Sequence, residues 1–209
     1  QIAAITTLDI SNMQTTDLQA LTTAQAAALT SVQIGAMNTN EIRNLETADL
    51  ASLTSSALDG MTTTQIQAIS TDQISALTSA QVASLSTAQV AAILTTDLQA
   101  MTTNQFAALS SAQLAGMSTT QIRNIETADI AAVTTAALQG LTTDQAGVLT
   151  TDQLQAMTTA QFASISSRQQ GALNTLQINK IETGDIAALT TSALQGLTTN
   201  QISLNNGTT

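Results

Sequence analysis

The chain has 209 residues and a formal net charge of −10, with 43% apolar against 9% charged residues, so it lies outside the low-hydrophobicity, high-charge composition of disordered chains. Its four dispersed cations, Arg43, Arg123, Arg168 and Lys180, cannot neutralise a phosphate backbone, which argues against a nucleic-acid partner, and they form no basic patch for anionic lipid. The absence of His and Cys removes the commonest general base, thiolate chemistry and disulfides.

From Ile2 onward the sequence is a run of about twenty-six octapeptides. One aliphatic series starts at Ile5 and Met13 and steps by eight, without a gap, through Leu77, Leu85 and Ile125 to Leu197. A second starts at Ile2 and Ile10 and runs to Ile202, with Ala26 and Ala146 as small members and Gln170 as its polar exception. Leu77-Thr78-Ser79-Ala80-Gln81-Val82-Ala83-Ser84 is a clean copy of the unit. Phe106 and Phe162 are the only aromatic residues, so the core must be thin and built from Leu, Ile, Met and Ala. Thr, Ser and Gln interrupt every apolar run well short of the roughly 18 residues that span a bilayer.

In chain order, the first strong local signal is Thr22-Thr23-Ala24-Gln25. It has the form of a capping box, in which an N-cap hydroxyl and an N3 carboxamide satisfy each other's backbone N–H groups. The pattern recurs at Thr62 to Gln65, Thr78 to Gln81, Ser86 to Gln89, Thr102 to Gln105, Thr142 to Gln145 and Thr158 to Gln161. A longer rhythm overlies it. Ile42-Arg43-Asn44-Leu45-Glu46-Thr47-Ala48-Asp49 returns as Ile122 to Asp129 and, altered, as Ile178 to Asp185. Both offsets are whole numbers of octads, so the array grew by duplicating blocks. A spacer tolerates that editing and a catalytic domain does not. The phase fails when Asn205 occupies an anchor slot, giving an expected division into a continuous octad solenoid over 1–204 and a tail or linker over 205–209. Asn206-Gly207-Thr208 in that tail matches the N-glycosylation pattern. Gln1 opens in mid-repeat, as a mature form or a window on a longer array would.

A period of eight excludes one continuous helix, because eight residues advance an ideal helix by about 800° and the apolar stripe would drift roughly 80° per octad. A helix broken at each box fits. Ile74 and Leu77 are three apart and share a helical face, and Ala, Gln, Leu and Met favour helix. Single turns do not stand alone, since nucleation is costly. The expected fold is therefore an all-α solenoid of one-turn capped helices stacked into a superhelix. The alternative is a Thr-rich β-solenoid, against which anchors separated alternately by three and five residues cannot share one face of an uninterrupted strand.

The Ser and Thr hydroxyls read as helix caps, and no catalytic residue is assigned. Among the acids, Glu46 and Asp49, Glu126 and Asp129, and Glu182 and Asp185 sit three apart near one corner. These six are weak candidates for Ca²⁺, which wants six to eight oxygens. The competing reading puts each Asp in the first helical turn, favoured by the helix dipole, with Arg43 pairing Glu46. No other cofactor is expected.

Written as Leu-Thr-Thr-x-Gln-Ile-x-Ala, the octad resembles the long threonine- and glutamine-rich repeat regions of very large bacterial surface or secreted proteins, such as adhesins and hemagglutinin-like proteins. The resemblance implies export, great length and a role in adhesion, matrix or filaments, and it brings no functional residues. The acidic, Cys-free, Thr-rich composition also leans extracellular. Apolar anchors run to both ends without a polar capping octad, so end-to-end or lateral self-association into a stalk, fibre or filament is the first functional expectation. The second is a module whose Thr/Ser/Asp face binds glycan, ice or calcium. The ice reading requires a straight β-face.

Overall fold

A computed structural model describes residues 4–181, 183–187, 189 and 197. The described secondary structure is helical throughout, in 23 short helices with no strand among the described residues. The all-α solenoid is the fold, and the β-solenoid is not. The condition attached to the ice reading, a β-face, is therefore not met among these residues. The expected tail over 205–209 lies outside the described residues, as does Glu182.

In its commonest form the octad divides into six helical and two extended residues, and in the other octads the helix is four or five residues long. Helix α10 (Ser79–Ser84) shows how. Its N-cap Thr78 is extended at φ −70°, ψ 156°, and its C-cap Leu85 has φ −58°, ψ 138°. The next N-cap, Ser86, is extended again. Two consecutive extended residues thus turn the chain between helices. No described non-glycine residue needs a positive φ, so the corners require neither glycine nor proline. Here the apolar residue before the next N-cap is the C-cap itself, and the Leu85 N–H closes the helix by donating to the Val82 carbonyl at 3.2 Å.

The chain forms two compact units, Gln1–Ala108 and Leu109–Thr209. Within the first, helices pack three positions apart: α6 (Thr47–Ser52) against α9 (Thr71–Ala76), and α7 (Ser55–Leu58) against α10. The second repeats the rule, with α16 (Thr127–Ala132) against α19 (Thr151–Ala156) and α17 (Thr135–Leu138) against α20 (Thr159–Ser164). The two anchor series face inward. Ile74, Val82, Phe106 and Phe162 of one series are fully buried, and Leu77, Leu85, Met101 and Leu141 of the other are nearly so. Burying such a side chain contributes about 1.5–3 kcal/mol, which is why single turns that cannot nucleate alone become stable when stacked.

Candidate functional site

The residue that joins one turn of each unit to the next is the N3 glutamine. Gln81 shows the full set of contacts. Its backbone N–H donates to Thr78 Oγ1 at 3.2 Å, while its Oε1 accepts from the Thr78 N–H at 2.8 Å, closing the capping box. Its Nε2 then donates to the carbonyls of Leu50 and Leu53, at 2.9 and 2.8 Å, at the end of α6. The Leu50 carbonyl also accepts from the Leu53 N–H at 3.3 Å, so the amide is its second donor, and the Leu53 carbonyl lies at the C-cap, past the reach of the intrahelical ladder. One side chain therefore caps the start of its own helix and the end of another, 28 to 31 residues earlier.

The same register repeats in both units. Gln65 reaches Ile34 and Met37, Gln73 reaches Ile42 and Leu45, and Gln105 reaches Ile74 and Leu77, at 2.6–2.8 Å. In the second unit Gln145 reaches Leu114 and Met117, and Gln153 reaches Ile122 and Ile125, at 2.6–2.9 Å. A separation of 28 residues is three and a half octads, so a superhelical turn takes about that many. These glutamines are 1–3% exposed. A buried carboxamide is satisfied here because it is acceptor and double donor at once. Glutamate would close the box equally well but has no hydrogen to give the other turn. That asymmetry is the sequence signal that the capping-box reading leaves unused.

All seven capping boxes expected from the sequence are formed, from Thr22 with Gln25 to Thr158 with Gln161. The Thr and Ser hydroxyls at these positions are occupied as caps.

Some octads depart from the rule at N3. Glu41 retains half of it, its Oε2 accepting from the Asn38 N–H at 2.6 Å. Asp49, Asp97 and Asp129 are buried at N3 of α6, α12 (Thr95–Ala100) and α16, and Asp185 is buried in α23 (Thr183–Ala187). The N-caps of α6, α12 and α16 are Glu46, Leu94 and Glu126, none of which makes a side-chain cap bond. Asp49 Oδ2 is buried with no hydrogen-bond partner. Burial pushes the Asp49 carboxyl above its ordinary pKa, and the Glu46 charge adds to the effect. Burial raises Asp97 likewise. Asp129 is pushed up to about 6, first by burial and then by Glu126. Asp49, Asp97, Asp129 and Asp185 thus lie in the first turns of their helices, as the helix-dipole reading expects, and their burial is the structure's addition. Glu46 and Glu126 stay exposed at the corner, and among the described residues no three acidic side chains gather into a cation-sized cluster.

Arg43 does not pair with Glu46. Its Nε donates to the Ala68 carbonyl at 3.3 Å, on the following turn, because the guanidinium at the end of α5 (Thr39–Asn44) can reach an unpaired carbonyl there. In the second unit Arg123 lines an open groove of about 320 Å³ with Gly147, Leu149, Thr150, Asn174 and the exposed Leu176.

Among the described residues two octads carry alanine in the glutamine slot, Ala57 and Ala137, each with a Thr cap retained at 3.1–3.2 Å. Each is followed three residues later by glycine. A methyl group on Gly60 would fall on the Ser31 carbonyl, and one on Gly140 on the Ser111 carbonyl. Where no carboxamide bridges the turns, the backbones close the gap, and only glycine fits.

Stacked one-turn helices, a shared capping box and amides that bridge successive turns define a helical repeat protein of the solenoid class. Residues 2–39, 42–79, 90–124, 122–159 and 178–204 match the ALTTAQ repeat model, and the chain belongs to that repeat family. No curated protein matches it.

Proposed function

We propose that this chain is a structural repeat segment of a stalk, fibre or filament at the cell surface or outside the cell, with a role in adhesion or matrix. The observation that carries the reading is the glutamine register. The recurring N3 glutamines are spent on holding one turn to the next, and block duplication in whole octads lengthens the array without shifting their phase. Solenoids grow by adding units, since each contacts only its neighbours. On this reading the chain is not an enzyme: the sequence holds no His, and its recurring hydroxyls serve as caps. End-to-end or lateral association of such segments gives filaments when the contact does not close on itself. Light scattering after size exclusion, with electron microscopy over a concentration series, tests this. Chains or fibres lengthening with concentration are expected, and discrete short monomers at every concentration would sink the self-association.

A second reading, a surface module for glycan or calcium, draws on the exposed Thr rows at N-cap and N1 and on the Glu46/Asp49 corner. A glycan-array signal or a calcium-dependent melting shift would move it to first place.

A further inference from the structure

We propose that the Asp49 slot is a proton-operated latch between successive turns of the first unit: the carboxylic acid supplies the donor that glutamine supplies elsewhere, and the carboxylate withholds it and loosens the seam. Three observations support this. First, the register is regular. Gln65, Gln73, Gln81 and Gln89 donate to the carbonyls 31 and 28 residues earlier, and the same offsets assign Asp49 to Leu18 and Leu21, at the end of α2 (Thr15–Gln19). Second, the side chain is available. Glu46 makes no capping box with it, so Asp49 is not folded back on its own N-cap, and its Oδ2 is buried and unpartnered. Third, the surroundings favour the neutral acid. Helix α6 packs on α3 (Thr23–Ala26), which carries no charge, and on α9, whose one charged residue is Asp72. Glu46 and the Asp17 of α2 are also acidic, and the nearest cation along the chain, Arg43, is engaged with the Ala68 carbonyl. No cationic side chain comes from these elements to the carboxylate, and burial with Glu46 raises its pKa.

The chemistry requires a single proton and no other reagent. Protonated, the carboxyl has one O–H donor to give to the Leu18 or Leu21 carbonyl. Ionised, it places two acceptors against the negative end of a helix dipole, where cations are the favoured partners.

Amide hydrogen exchange by mass spectrometry on the full chain, with rates corrected for intrinsic pH dependence, tests the latch locally. Peptides covering Leu18 to Leu29 and Glu46 to Leu53 are expected to gain about tenfold in protection as pH falls from 7.5 to the ordinary carboxyl value of 3.8, above which this group is raised. In Asp49→Asn the protection is high and equal at both pH values, because the carboxamide donates at either. Unchanged wild-type protection in these peptides, or the same pH step in Asp49→Asn, would overturn the proposal. So would an Asp49→Asn chain that fails to fold, since the slot is argued to accept a donor.

Discussion

Helices α6 and α10 occupy the same unit and bury equivalent anchors, Leu50 and Val82, both fully. They differ where it matters to the turn before. Helix α10 opens with Thr78 and Gln81 and grips the end of α6 through two amide bonds. Helix α6 opens with Glu46 and Asp49, has no side-chain cap and leaves a buried oxygen orphaned. Apolar burial alone does not distinguish the two seams. A net hydrogen bond contributes about 0.5–1.5 kcal/mol, whereas a buried polar group left unmade costs about 1–3. Local strength along the array is therefore set by the N3 residue, with the hydrophobic series nearly constant beneath it. The Ala57 octad is a third solution, in which direct backbone approach replaces the amide.

That third solution should be the easiest to break. Gly60→Ala puts a carbon on the Ser31 carbonyl, which belongs to backbone and cannot rotate away. A loss of about 3 kcal/mol or more in denaturant titration is expected, at the upper end of overpacking costs. Ala83→Gly, on the exposed side of α10, is the reference and should lose about 1 kcal/mol. Equal losses in the two variants would refute the close approach.

Breaking a glutamine seam should cost somewhat less. Gln81→Met keeps the length and apolar bulk but removes the cap acceptor and both inter-turn donors, for an expected loss of about 2–3 kcal/mol. Gln81→Glu sharpens the comparison, because it restores the cap and not the donors. It should remain destabilised at pH 7.5 and recover on acidification, turning a glutamine seam into an aspartate-like one. Recovery of Gln81→Glu at pH 7.5 would mean the capping box alone matters.

The Asp129 octad gives the corresponding pH effect on global stability. Its folded pKa is raised to about 6 against an ordinary value of 3.8. The folded state therefore holds the proton more tightly than the unfolded chain. The stability this contributes is fully present below about 3.8 and is lost as pH rises through about 6. With about 1.4 kcal/mol per pKa unit, and allowing for solvent at the corner, Asp129→Asn should remove about 1–2 kcal/mol of pH dependence between pH 4 and pH 7. Parallel pH–stability curves for wild type and variant would contradict this assignment.

Much of this was legible in the sequence, for a local reason. The capping box spans four residues and the anchor pair three, so both follow from helix geometry at short range, and Thr22, Ser86 and Thr158 cap as their spacing requires. The length of a superhelical turn was not legible, because it is fixed by Gln73 Nε2 meeting Leu45 across 28 residues, a distance that no local pattern encodes. Asp49 could be placed in the first helical turn but not turned inward, since its burial depends on the neighbouring turns. The Arg43 ion pair failed likewise. Sequence proximity favoured Glu46, whereas the fold offered a carbonyl on the next turn.

Gln170 tests whether polarity in the wrong slot carries any benefit. It occupies the anchor series that is otherwise apolar, is completely buried, and donates from Nε2 to the Ile165 carbonyl at 3.1 Å. Its Oε1 has no partner. Its neighbour Gln169 already makes the inter-turn bonds to Leu138 and Leu141, at 3.1 and 2.7 Å, so Gln170 adds nothing to the seam. Gln170→Leu removes the orphaned acceptor, forfeits one local hydrogen bond and adds apolar burial of similar volume. The balance favours the variant by about 1 kcal/mol. A gain of that size in denaturant titration would show that the amide is useful at N3 and a liability one residue later. A loss would mean that Oε1 has a partner in solution and that this octad is a polar seam of its own kind.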